Sequence, residues 1–532
     1  MQKIAPRKQF RIYAIGVFVC VIMSWGLRLY LISKTGLPGV TGANQIISDE
    51  VSMQNIIWDV THGLRGVLQL PSDNWSIKYT LYWLIIPSHL APFAKLYLES
   101  ALILTLTCAL LLYSIAQAMN YFNFSVREKK LGVIVIGLYL AMLPQTLFYI
   151  LKVPNSRNIE IGLAALLVVL TLRILKFGQE RGLIYYMFYF VIATLLWFDD
   201  PLFIVNLAVP LGLITLYMTI FQPKLRDRAI PLLAAIVGSL ALSQAFVLAT
   251  ERYWQVHFSS QSIGLANYTL ILANLRRLAS SGTNIFGLHQ PLGQGLLLSL
   301  ALNTIYLIIF GFIIWGLFNL SKIDRIAGAI LVILGLFSFA SFIFGRSLPP
   351  YPDQLESRYL IMLLPISLFG LLGALKSKYK HREKVLIVLL GIGVVGLIIS
   401  SLVSLPIATS TPVNPETTAI IKELAQLGVT KGYGNYQSSA LISYFSAHEV
   451  NAVSLSCNQA NGQVTLYKHI NNSAEVDVPA RTSFYITSAS SYPDCALART
   501  AGQFGPPTKV ITLPHYALQI AIYPYDIGER IH

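Results

Sequence analysis

Charge is what this sequence has least of. Only 12% of its 532 residues are charged and 55% are hydrophobic, whereas charged residues make up about a quarter of a soluble globular chain. That deficit excludes an ordinary water-soluble domain and makes lipid the expected solvent. Several signatures are also missing. The sequence has no Walker A loop, dinucleotide-binding glycine fingerprint, zincin helix or paired C-x-x-C. Their absence argues against a nucleotide-driven pump or an enzyme with a cytoplasmic dinucleotide-type domain, and no nucleotide cofactor is expected.

Long apolar runs take the place of charge. Eleven of them, near residues 12–33, 96–118, 131–150, 160–175, 183–197, 202–220, 229–250, 295–318, 326–344, 359–375 and 385–406, read as helices able to cross about 30 Å of hydrocarbon. The expected fold class is therefore an α-helical polytopic membrane protein of about eleven transmembrane helices. The first run follows Arg7, Lys8 and Arg11 and lacks an A-x-A-like exit, so it reads as an anchor rather than a cleaved signal.

The basic residues set an expected orientation. Loops near residues 3–11, 127–130, 173–181, 224–228, 322–325 and 376–384 hold twenty of the thirty-nine Lys and Arg against five acids, which is the whole net charge of +15. Short basic loops stay in the cytoplasm. The reading is a multi-pass protein of a bacterial plasma membrane with a cytoplasmic N-terminus. The high pI then reports topology and contact with membrane lipids, and nucleic acid is dropped as a partner.

Residues 1–406 form the expected membrane domain, and a Pro, Ser and Thr stretch over 404–412 leads into an extracytoplasmic soluble domain, 407–532. Asn414 and Pro415 open and Gly428 ends a helix expected over 415–427. Another is expected over 437–446. Strands are expected at 450–456, 483–487, 509–513 and 518–523, so the domain reads as a small α/β unit. Cys20 and Cys108 fall in spans and pack as small apolar groups, while Cys457 and Cys495 could pair or remain two thiols.

Candidate chemistry lies in the outward loops. Asp49-Glu50 follows the first span; in a helix these neighbours diverge by about 100°, so one would act and the other orient it. They are either the acids of a capped interfacial helix or a general base and its helper. Lys78, ahead of Tyr79 to Leu84, suits either a phosphate or a snorkelling anchor. Asp353 to Pro365 leads into the tenth span, with Arg358 at its mouth. Arg157 lies between the third and fourth spans, where it could add charge to a phosphate pocket. Asp199-Asp200 could hold a divalent metal ion, or could be a solvated turn with Pro201 opening the next helix.

In this order, Asp49-Glu50, Lys78 to Leu81, and Arg358-Tyr359-Leu360 with Leu364-Pro365 resemble the GT-C membrane glycosyltransferases, in particular the protein O-mannosyltransferase and lipid A aminoarabinose transferase branch. Met53 stands where that branch usually has tyrosine, and Tyr79 and Thr80 replace its paired prolines. The resemblance implies a GT-C-like membrane domain and a polyprenyl-phosphate-linked sugar donor. It also implies transfer to an acceptor hydroxyl of a glycan, lipid or protein. Asp49 would be the general base and Glu50 its positioning neighbour, with Lys78, Arg358 and Arg157 on the donor phosphate. Tyr359, Glu356, Tyr82 and His257 would contact substrate. Two other readings stay open. One is a lipid or solute transporter without transferase activity. The other is an O-antigen polymerase or ligase, for which the loop 251–294 with Arg252, His257, Arg276, Arg277 and His289 speaks.

Overall fold

The computed structural model describes residues 6–35, 48–64, 66–71, 76–86, 90–153, 156–181, 183–254, 256–259, 266–288, 296–345, 357–376, 388, 391–396, 415–458, 463–467, 471–488, 496–514 and 517–531. Two compact units are formed. One comprises Met1–Ala43, Ser100–Val247 and Gln261–Thr409; the other comprises Asn44–Glu99, Leu248–Ser260 and Ser410–His532.

The helices up to residue 376 are α1 (Pro6–Thr35), α2 (Ser48–Thr61), α3 (Ser76–Ile85), α4 (Pro92–Tyr121), α5 (Val126–Ala141), α6 (Gln145–Lys152), α7 (Ile159–Arg181), α8 (Leu183–Asp199), α9 (Val209–Phe221), α10 (Arg226–Trp254), α11 (Tyr268–Ile285), α12 (Leu296–Ile323), α13 (Arg325–Phe344) and α14 (Leu363–Lys376). A π-helical stretch, Ile204–Ala208, precedes α9, and a 3-10 turn, Ser357–Leu360, precedes α14.

Among the described residues six helical stretches are long and apolar enough to cross a membrane: Phe10–Leu29, Ala94–Tyr121, Ile204–Phe221, Pro223–Tyr253, Leu300–Ile323 and Arg325–Phe344. These answer to the first, second, sixth, seventh, eighth and ninth expected spans. The third is not one helix: α5 and α6 meet at 87°. Pro144 between them has no amide to donate and disfavours a helical residue before it. The fifth and tenth are α8 and α14, of 17 and 14 residues, only about 26 and 21 Å long. Most of the eleventh lies outside the described residues. Among the described residues the count of such helices is six, or seven with the bent pair as one span, against about eleven expected.

Polar side chains fasten the first unit at helix ends. In α1, Trp25 Nε1 donates to the Leu140 carbonyl (2.7 Å), in the last turn of α5, and Arg28 Nη1 to that of Leu143 (2.9 Å), just past its end. At the basic end Glu128 closes a capping box with Ser125 at the start of α5, and Asp324 caps α13. These acids are therefore structural. Helices α12 and α14 touch backbone to backbone: a Cβ on Gly316 would lie 1.7 Å from the Gly370 carbonyl oxygen, the close approach that small residues permit in lipid.

In the second unit, β1 (Leu68–Pro71) lies between β2 (Val256–Ser259), parallel to it, and the antiparallel β6 (Asn471–Asn472). A six-stranded sheet is formed by β3 (Lys431–Asn435), β4 (Asn451–Cys457), β5 (Val464–Leu466), β7 (Ser483–Ser488), β8 (Lys509–Leu513) and β9 (Leu518–Tyr523), ordered β5-β4-β3-β7-β9-β8. Strand β3 runs parallel to β4 and β7; the other pairings are antiparallel. Strand side chains alternate between faces. Phe484, Ile486, Ile520 and Ile522 therefore pack on one side with Ile420 and Leu424 of α15 (Pro415–Leu427) and Ile442 of α16 (Tyr436–Phe445). Tyr485, Ala521 and Tyr523 pack on the other with Phe504 of α18 (Leu497–Phe504). Between these helices falls the short α17 (Ala474–Asp477).

Residues 415–531 thus contribute the six-stranded sheet and the helices packed on it to the second unit. The helix expected over 415–427 has those ends, and Gly428 supplies the left-handed residue (φ +64°) that stops it. Cys457 is disulfide-bonded, Cys20 and Cys108 are free, and Cys495 lies outside the described residues.

Candidate functional site

Asp49 and Glu50 are the second and third residues of α2.

The rest of α2 is clamped inside its unit. Val51 to Ile56 are all buried. Gln54, one turn past Glu50, donates to the carboxylate of Glu99 at the start of α4. Asn55 Nδ2 donates to the Ala440 carbonyl of α16 at 2.9 Å. Val51 and Leu96 share an apolar cluster with Ala440, Leu441 and Tyr444. Helix α2 is thus held on several sides within its unit.

Helix α3 supplies the cation. Lys78 is fully buried and Tyr82, one turn on, is 2% exposed, while Trp83, Leu84 and Ile85 are more than half exposed. Lys78 is thus turned away from the exposed face of α3 that Trp83, Leu84 and Ile85 form. A buried ammonium demands compensating polar groups.

At the far end of α2 an acid pair joins the helix to the C-terminal domain. Asp59 is hydrogen-bonded to Glu475 of α17, and Asn472 Nδ2 donates to Asp59 Oδ2 at 3.3 Å. Burial raises both carboxyls above their ordinary range; for Glu475 the Asp59 charge adds to the rise. Next to them Trp58 is stacked between His62 and His448, each ring centroid 4.1 Å away. His448 is pushed down to about 3, first by burial and then by the charges of Lys95 and His62.

The signs of the two effects are opposite. A depressed histidine contributes stability above its ordinary value near 6.5 and loses it as pH falls toward 3. The raised carboxyls contribute at low pH and lose it as pH rises through their elevated values. Melting of the full chain between pH 3 and 9 is therefore expected to show an acid limb that His448→Gln flattens and an alkaline limb that Glu475→Gln flattens. Unchanged limbs in both variants would remove these groups from the account.

In the first unit the Arg157 Nε donates to Asp200 Oδ2 (2.5 Å) and Nη2 to Oδ1 (3.3 Å), both side chains being almost fully buried. The guanidinium also lies 5.3 Å from the ring centroid of Tyr359, which is itself buried. Asp199 and Asp200 are both fully buried, so the solvated turn expected there is corrected. The sequence around them gave no sign of Arg157, 43 residues earlier, whose charge makes burial of Asp200 tolerable. Among the described residues no group of three or more His, Cys, Asp and Glu side chains is placed to hold a metal ion.

Arg358 is the second residue of the turn Ser357–Leu360. His257 is exposed on β2, opposite Gln69 of β1. Glu356 lies outside the described residues. Sequence reasoning missed Gln54, Asp59 and Glu475. Neither Glu99 nor Asn472 was singled out for these contacts. Their only signal was a polar residue within an otherwise apolar segment.

No known protein family matches the sequence, and no curated protein matches it. Solved structures of similar fold include the Archaeoglobus fulgidus oligosaccharyltransferase tethered through a disulfide bond to an acceptor peptide containing the NVT sequon. They also include the archaeal oligosaccharyltransferase AglB from Archaeoglobus fulgidus in complex with an inhibitory peptide and a dolichol-phosphate. Each is 11% identical with a TM-score of 0.42, over 96% of this chain and 74% of that chain.

Proposed function

We propose that the protein is a membrane glycosyltransferase that moves a sugar from a polyprenyl-phosphate-linked donor to an acceptor hydroxyl on the extracytoplasmic face. The observation that carries this reading is the acid pair Asp49-Glu50 in the first turn of a helix clamped by Gln54, Asn55 and Asp59, in the same unit as the buried Lys78. The order Asp49-Glu50, Lys78, Arg358-Tyr359-Leu360 is that of the GT-C motif.

In the reaction the acceptor oxygen attacks the anomeric carbon as Asp49 takes its proton. The carbon–oxygen bond to the lipid phosphate breaks, its electron pair leaves with the phosphate, and the anomeric configuration inverts. Glu50 positions Asp49. Lys78 holds the donor phosphate, and Arg358 keeps the role of second phosphate contact, since a guanidinium can bind phosphate through two parallel bonds and stabilise the departing charge. Tyr82, beside Lys78 on the buried face of α3, stays a candidate substrate contact with Tyr359, Glu356 and His257.

The pairing of Arg157 with Asp200 favours a structural account of both residues over phosphate binding and over a metal at Asp199-Asp200. Transfer of labelled sugar from a panel of polyprenyl-phosphate donors in purified membranes tests the proposal. A donor that is carried across the bilayer with no sugar transferred would favour a transporter instead.

A further inference from the structure

A second candidate site lies in the first unit and includes no residue given a catalytic role. Helices α4, α7 and α8 enclose a pocket of about 530 Å³. One face of α7 forms its floor: Leu166, Val169, Leu170 and Arg173 follow the i, i+3, i+4, i+7 spacing that aligns side chains on a helix. Leu166, Val169 and Leu170 are buried among neighbouring side chains, whereas Ile184 and Phe188 of α8 and Tyr113 of α4 stand at the rim, each more than half exposed. This is an apolar cleft about 10 Å long on the α7 axis, open on its flank and closed at one end by a guanidinium.

Arg173 makes that end unusual. Its Nη1 donates to Gln117 Oε1 at 2.7 Å, and among the described residues no carboxylate meets it. The neighbouring cations are differently engaged: Lys176 donates to the Tyr121 carbonyl (3.1 Å), and Arg228 to the carbonyls of Leu175 and Lys176 (2.9 and 2.6 Å). The two together cover helix ends. Arg173 alone faces a cleft, with four further donors on its planar fork. The cleft sits at the helix ends that carry Arg127, Lys129, Lys130, Lys224, Arg226, Lys322 and Arg325, the side that the distribution of positive charge places in the cytoplasm. An arginine at that depth is stable when a phosphate meets it, and basic pockets between helices on this side suit lipid headgroups.

We infer that this cleft binds an anionic glycerophospholipid of the cytoplasmic leaflet, its headgroup phosphate on Arg173 and one acyl chain along Leu166, Val169 and Leu170. Charge complementarity selects that occupant: an apolar floor suits a chain, and a cation without a carboxylate partner suits an anion. The inference does not depend on the transferase reading.

Native mass spectrometry of the detergent-purified full chain, titrated with dioleoylphosphatidylglycerol or dioleoylphosphatidylcholine, tests it. Wild type is expected to retain phosphatidylglycerol at least about tenfold more tightly, and Arg173→Gln to lose that preference, while Lys224→Gln, exposed at the same end, keeps it. Equal retention of the two lipids by wild type would overturn the inference. So would an equal loss in Lys224→Gln, which would mark general attraction to a basic surface, or retention of a polyprenyl phosphate with no retention of phosphatidylglycerol. If Arg173→Gln does not accumulate, Ile184→Trp at the exposed rim fills the mouth without touching charge. It is expected to give the same loss, and unaltered binding in it would be equally fatal.

Discussion

Asp49→Asn is expected to lower sugar transfer by about 10²-fold or more, with the protein still present in the membrane at its usual level. The substitution keeps the shape of the side chain and removes only its basicity, and a positioned general base contributes about 10² to 10⁴ in rate. The loss should appear in kcat rather than in KM for the donor, since the base acts on the acceptor hydroxyl in the transition state. Glu50→Gln is expected to be milder, because a positioning neighbour acts through Asp49. Near-normal turnover by Asp49→Asn, with the correct donor supplied, would end its assignment as base.

The second large effect concerns the buried ion pair. Asp200→Ala leaves the Arg157 guanidinium 4% exposed with its bidentate carboxylate removed, a change that costs about 3–5 kcal/mol. A marked drop in melting temperature is expected in detergent. The double variant Arg157→Met/Asp200→Leu removes both charges at similar volume and is expected to regain most of the lost stability. That double variant also separates two roles for Arg157. If the pair is structural, the stabilised double variant retains transfer; if Arg157 holds the donor phosphate, it melts normally and transfers nothing. A single Asp200→Ala variant as stable as wild type would refute the reading of a buried, compensated charge.

What was legible in the sequence followed from local chemistry. Long apolar runs located six membrane-length helices, and Pro415 with Gly428 bounded a helix to the residue. Alternating β-branched and aromatic residues marked β4, β7, β8 and β9. Strand β3 escaped notice because Lys431-Gly432-Tyr433-Gly434-Asn435 has weak strand propensity. Its place is set by pairing on both sides and by partners far away: Lys431 Nζ and the Tyr433 hydroxyl both donate to Asp526, at 2.7 and 2.6 Å. The bend between α5 and α6 was written in Pro144 but was outweighed by the apolar run around it.

The candidate site divides the same way. Asp49, Glu50 and Lys78 stand out in the sequence as an acid pair and a cation beside apolar segments. The contacts that hold α2 do not. Gln54 meets Glu99 across 45 residues and Asp59 meets Asn472 across 413, and no window of sequence reports contacts of that range. Pairing of β1 with β6 ties the segment after α2 to residues 471–472, and the second unit gathers three separate stretches of chain.

Asp49, in the first turn of α2, is proposed to serve a lipid-linked sugar transfer. Its most direct test is the release of labelled sugar from polyprenyl-phosphate donors to acceptor, measured in purified membranes for wild type and Asp49→Asn side by side. The expected result is transfer from at least one donor by wild type and its loss, by about 10²-fold or more, in the variant. Equal transfer by the two proteins, or movement of intact donor across the bilayer with no sugar transferred, would contradict it.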